Sequence, residues 1–235
     1  MKYLPNLVVA SLTTLLLASC GNDDSTVSME VRLTYNDTPY AVGETVYKGD
    51  TSVRFEKFYF YLSDLQIGDH LVEEVVFCNA EDSTTMNYEW SWDKKASTLS
   101  FCVGVDSLNN AIDPTSFEVG HPLSSANDMY WSWATKYRFL RIDGRLNPSG
   151  TMGTDDILLA WHTGKDELYR CVDLSAQLAR AIEGGDHLIL QFELDQLIQR
   201  MSLETESMTH AMAGDYDIAV KLSNQLPGAF NLSIE

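Results

Sequence analysis

The run Val53–Leu65 (VRFEKFYFYLSDL) is the strongest constraint on how this chain can fold. It is rich in aromatics and apolar on both faces, which is the pattern of a strand with neighbours on either side rather than of a half-exposed edge. Ser28–Tyr35 has the complementary pattern. Met29, Val31, Leu33 and Tyr35 alternate with Ser28, Glu30, Arg32 and Thr34, as in a strand with one face in water. Further strands are expected over Val72–Phe77, Thr98–Val105, Tyr137–Asp143, Ile157–His162 and Leu188–Leu194. Two short helices are expected. One is Gln196–Met201 behind an Asp195 cap; the other is Leu174–Ile182, stopped by Gly184-Gly185. Many short strands with turns between them predict an all-β fold, an antiparallel β-sandwich with one or two short helices. Asp106–Asp128 has no periodicity, and a loop that long within a domain is usually functional.

Charge narrows the function. Asp and Glu number 34 against 16 Lys and Arg, a formal net of -18. Such a surface repels phosphate backbones, so no nucleic-acid partner is expected. No long apolar run follows the N-terminus, so the chain is not expected to span a membrane as a helix bundle.

The N-terminus reads as a targeting segment. Lys2 precedes an apolar stretch, Leu7–Leu17, that is too short to span a bilayer. Leu17-Ala18-Ser19-Cys20 then resembles the lipobox of bacterial lipoproteins, in which the Cys is acylated and the peptide is cut before it. The acidic residues that follow, Asp23 and Asp24, resemble the surface-export signal of Bacteroidetes lipoproteins. The expected organisation is a lipoprotein signal peptide over 1–19, a polar tether with lipidated Cys20 over 20–27, and one β domain over 28–235. Lipid chains would then hold the domain at the outer membrane or cell surface.

Three cysteines remain in a compartment where disulfides persist. Cys78 and Cys102 end two strand-like runs that could be neighbours, so a Cys78–Cys102 bridge is expected. Cys171 would be a buried thiol.

The signatures of common enzymes are missing. There is no Gly-x-Ser-x-Gly elbow, P-loop, dinucleotide glycine pattern, His-Glu-x-x-His or Cys-x-x-Cys. No catalytic residue is assigned, and the chain is expected not to be an enzyme. Three blocks remain. Met129-Tyr130-Trp131-Ser132-Trp133 follows the long loop. Trp161-His162-Thr163-Gly164 closes a strand at a turn, where an imidazole can face a rim on rigid backbone. Met208-Thr209-His210-Ala211-Met212 offers imidazole and thioether together, ligands that suit copper and above all Cu(I). His121 sits in the long loop just before the tryptophan block. Each block is also compatible with ordinary packing, an aromatic core stripe or methionines beneath a turn.

Taken in order, these blocks resemble the MbnP-like copper-binding family of bacterial envelope proteins. Phe60-Tyr61-Leu62-Ser63-Asp64-Leu65 is similar to an early family strand, and Phe101-Cys102-Val103-Gly104-Val105-Asp106 to the next. The loop with Asn109-Asn110, Asp113-Pro114 and Pro122-Leu123 leads into the Met-Tyr-Trp-Ser-Trp block, the most specific piece. Trp161-His162-Thr163-Gly164 stands where members carry a His-x-Gly turn, and Asp217–Lys221 near Phe230 is similar to a C-terminal family segment.

The resemblance implies a β-rich fold that binds copper through histidines. It also implies a tryptophan oxidised to kynurenine by a di-haem partner of the cytochrome c peroxidase type. His162 is the ligand it favours, with His121 and His210 as further imidazoles and Met129, Met208 and Met212 as possible thioethers. Trp131 or Trp133 is the expected oxidised residue. The sequence departs from the family pattern at Asn110, where many members carry His, at Lys136, where they carry Gly, and at Lys221, where they carry Asn. The alternative reading is a surface module that keeps the fold, binds no metal and contacts a glycan or protein.

Overall fold

The structure is a computed structural model and describes residues 25–132 and 134–235. Its strands, in chain order, are β1 Thr26–Tyr35, β2 Thr38–Pro39, β3 Thr45–Lys48, β4 Thr51–Ile67, β5 His70–Asn79, β6 Asn87–Ser91, β7 Leu99–Val103, β8 Tyr130–Ser132, β9 Lys136–Asn147, β10 Ile157–Gly164, β11 Arg170–Asp173, β12 His187–Glu193, β13 Met208–Thr209 and β14 Phe230–Ile234. Two α-helices, α1 Leu194–Arg200 and α2 Tyr216–Gln225, complete the regular structure. Among the described residues no helix is long and apolar enough to cross a membrane.

The strands form two sheets. The smaller runs β14-β12-β1-β2, with β6 also on β1; the larger runs β11-β7-β4-β9-β10-β13, with β3 and β5 on β4 and β8 on β9. Most pairs are antiparallel, but β1 with β12 and β10 with β13 are parallel. β4 is the two-faced strand that the Val53–Leu65 run predicts. Its first half lies between β3 and β9 and its second half between β5 and β7. Phe55, Phe58, Phe60, Leu62 and Leu65 are all at most 1% exposed. Edge-to-face contacts of Phe58 and Phe60 with Phe192 of β12 close the sandwich. Alternation in β1 likewise puts Met29, Val31 and Leu33 into that core.

Three expectations are corrected. The Leu174–Ile182 segment is a single 3-10 turn, Ser175–Gln177, not a helix. Gln177 is used across the sheet instead: its side-chain oxygen accepts from Leu232 N, while Ile182 bridges to Ala96. Asp195 does not cap α1. Glu193 occupies the cap position, and Asp195 accepts instead from the Asn36 backbone N–H. Finally, the bridge joins Cys102 to Cys171, and Cys78 is a buried free thiol. The reason is topological. Leu62 and Ser63 of β4 pair with β5 on one side and β7 on the other, so Cys78 and Cys102 have a whole strand between them. Two strand spacings amount to roughly 9–10 Å, beyond the reach of a disulfide. Cys171, by contrast, is directly opposite Cys102 in the β7–β11 ladder.

Candidate metal centre

β10 delivers the first imidazole. Trp161 faces the core, fully buried, and donates its indole N–H to the Glu206 carbonyl at 2.7 Å. Alternation therefore turns His162 to the outer face of the larger sheet. There its Nε2 meets Asp143 Oδ1 of β9 at 2.6 Å, a diagonal cross-strand contact, since Asp143 is opposite Ala160. Asp143 Oδ2 also accepts from Arg141 Nε at 2.8 Å, and Arg141 in turn reaches Asp128. Burial would push the Asp143 carboxyl up, but the His162 ring and the Arg141 guanidinium outweigh it and hold it at about 2. An ionised Asp143 fixes the His162 tautomer with the proton on Nε2, which leaves Nδ1 as the lone-pair nitrogen. That Nδ1 is buried and has no hydrogen-bond partner among the described residues. Burial, which the Asp143 bond only partly offsets, keeps the ring's pKa below its ordinary value and so favours neutral imidazole.

Gly164 makes the turn after His162 possible. A Cβ there would sit 2.7 Å from the Tyr137 carbonyl oxygen, where β10 steps out of register against β9. The glycine of the His-x-Gly turn is thus a close-approach residue.

The second imidazole comes from the segment after β13. Two parallel rungs, Ala160 with Met208 and Trp161 with Thr209, fasten that segment to β10. Asp215 then ties it into a knot. Its Oδ1 accepts from Thr209 Oγ1 at 3.0 Å and Met212 N at 2.9 Å, and its Oδ2 from His210 N at 3.1 Å. The result brings the His210 and His162 rings to 5.0 Å between centroids, nearly perpendicular.

Trp131 completes the cluster. β8 folds back on β9, with Tyr130 opposite Tyr137. The Trp131 ring lies 5.3 Å from His210 and 5.9 Å from His162. The Arg138 guanidinium stacks on it at 4.7 Å.

The remaining predicted site residues fall elsewhere. His121 Nδ1 accepts from Leu123 N at 3.1 Å and its ring stacks on Phe117, so that imidazole is spent within the long loop. Met129 is fully buried in a separate core cluster with Tyr61, Tyr137 and Phe139. Met208 and Met212 are half exposed on either side of His210. Asn110 is buried and structural: it donates to Asp166 Oδ1 at 2.7 Å and accepts from Tyr137 N at 3.1 Å. Cys20 and Trp133 lie outside the described residues. Sequence reasoning missed Asp143, Arg138 and Asp215. The Asp143–His162 pairing needs the β9–β10 register, which no local pattern encodes.

The MbnP family model matches residues 24–213. The chain belongs to the MbnP family. Among solved structures it resembles MbnP from Methylosinus trichosporium, with a TM-score of 0.57 and 10% sequence identity over 89% of this chain and 98% of that one. At that identity the likeness is one of fold. No curated protein matches by sequence. The family is associated with copper. Among the described residues no three His, Cys, Asp or Glu side chains converge on a point. What the site does offer a soft cation is two imidazoles.

Proposed function

We propose that this MbnP-family protein binds copper between His162 and His210, beside Trp131, as a lipid-anchored envelope protein without turnover of its own. The observation that carries the reading is the buried, unpartnered Nδ1 of His162. A buried nitrogen lone pair is costly unless something accepts it, and an imidazole whose other nitrogen is held by a carboxylate is the usual form of a metal-bound histidine. His162 and His210 would hold the ion; Met208 and Met212 are the nearest thioethers in sequence. Bound copper would supply a soft, redox-active cation. His162 itself supplies a neutral imidazole of fixed tautomer, largely withdrawn from water.

Among the described residues Trp131 is the indole beside that pair, which supports it as the residue oxidised to kynurenine by a di-haem partner. Peptide mass spectra of protein from the native host test this, with unmodified Trp131 in the presence of the expressed partner as the contrary result. For the metal, competition titration with Cu(I) should show binding by the wild type and a large loss in both His162→Ala and His210→Ala. Binding that ignores both substitutions would remove the site. A wild type that binds no copper would favour an interaction module instead. That second reading has its own observation: Leu108 and Val119 of the long loop are 81% and 88% exposed.

A further inference from the structure

Arg138 has no role in the copper site described above, yet it sits against it. Its guanidinium carbon is 4.7 Å from the centroid of the Trp131 ring, and that ring touches both imidazoles. One arm donates to the Asp128 carbonyl at 3.1 Å, while Nε is buried without a partner among the described residues. The nearest carboxylates are already engaged: Asp143 by His162 and Arg141, Asp128 by Arg141. Arg138 is therefore a partly desolvated cation with no ion pair among the described residues, acted on by Asp128 and Asp143 only at a distance. Burial and the neighbouring Arg141 lower its pKa, as expected of a charge held without full compensation. Guanidinium remains protonated under such pressure.

A fixed positive charge beside a cation site acts on the ion in proportion to the ion's charge. It disfavours a divalent ion about twice as strongly as a monovalent one. We propose that Arg138 is a specificity-determining residue that biases the His162–His210 site toward Cu(I) over Cu(II). The inference rests on the copper reading above. Trp131 provides the stacking surface that keeps the guanidinium in place, and the Asp128 carbonyl fixes its other end. Around the two imidazoles lie Arg138 and Arg141 and the carboxylates Asp143, Asp128 and Asp215, the last with Oδ2 3.9 Å from His210 Nδ1. Removing Arg138 shifts that balance by one full charge toward the negative.

The test uses the full chain as isolated, loaded with copper alone. Wild type, Arg138→Met and Arg138→Lys are titrated with Cu(I) and Cu(II) against competing chelators, and the reduction potential of the bound copper is measured directly. Thermal unfolding without metal establishes that each variant is folded. Arg138→Met should lower the ratio of Cu(I) to Cu(II) affinity at least about tenfold, equivalent to a fall in potential of about 59 mV for a one-electron couple. Arg138→Lys, which keeps the charge, should retain most of the wild-type ratio. An unchanged ratio and potential in folded Arg138→Met, with copper still bound, would overturn this role for Arg138 and leave the site intact. Equal loss in the Lys and Met variants would assign the effect to packing on Trp131 and also overturn it. A wild type that binds no copper would remove the site and this inference together.

Discussion

His162 Nε2 and Asp143 Oδ1 are 2.6 Å apart across the β9–β10 ladder, and this contact decides which nitrogen of the imidazole is free. Asp143→Asn keeps the shape but removes the charge and lets the tautomer switch. Copper affinity should fall by about 10–100-fold, the usual effect of losing a carboxylate behind a metal-binding histidine. Parallel titrations of wild type and variant measure it.

The same pair sets an acid dependence. Asp143 is held at about 2, below its ordinary 3.8. A depressed carboxyl binds fewer protons in the folded state, so its stabilisation is present above pH 3.8 and lost as pH falls toward 2. His162 is shifted down as well, so it too binds fewer protons when folded, and its contribution is lost as pH falls below 6.5. Metal-free wild type should exceed Asp143→Asn by about 2 kcal/mol near neutrality. Urea unfolding at several pH values should show the gap narrowing between pH 4 and 2.

Lys136 has φ of 57°, in the left-handed region that favours glycine. A side chain there costs about 1–2 kcal/mol. Its ion pair with Asp166, at 3.9 Å on the surface, returns little. Lys136→Gly should therefore raise stability by up to about 1 kcal/mol, seen as a higher unfolding midpoint.

Non-reducing peptide mapping should find Cys102 joined to Cys171 and Cys78 free. Reduction should cost about 2–5 kcal/mol of stability. A Cys78 to Ala change should leave the reduction effect in place.

Cys20→Ser tests the anchor inferred from Leu17-Ala18-Ser19-Cys20. The variant should leave the membrane fraction for the soluble one. Unchanged fractionation would count against a lipoprotein.

The fold was largely legible because its strands carry their own burial patterns: β1 by alternation, β4 by apolarity on both faces. The helix α2 and the edge strand β6 were not: β6 alternates Tyr88 and Trp90 with polar neighbours over only five residues, and α2 has a narrow apolar face within ten residues of mixed polarity. The cysteine pairing failed for a different reason. Strand ends can be read locally, but the order of β5, β4 and β7 is a long-range fact. The site divides the same way. His162, His210 and Trp131 were visible as ligand-type residues within motifs. Asp143, Arg138 and Asp215 are common residue types whose importance comes only from register and from side-chain reach.

The two rungs between β10 and β13 tie the position of His210 to the strand that carries His162, and the residue at one of those rungs is Trp161, whose indole is fully buried in the core. The distance between the imidazoles is thus gauged by the interior. A substitution at Trp161, whose indole is held by the Glu206 carbonyl, changes neither histidine, yet it alters the spacing between them. Drift at such buried positions can retune the pair while every surface residue of the site stays the same.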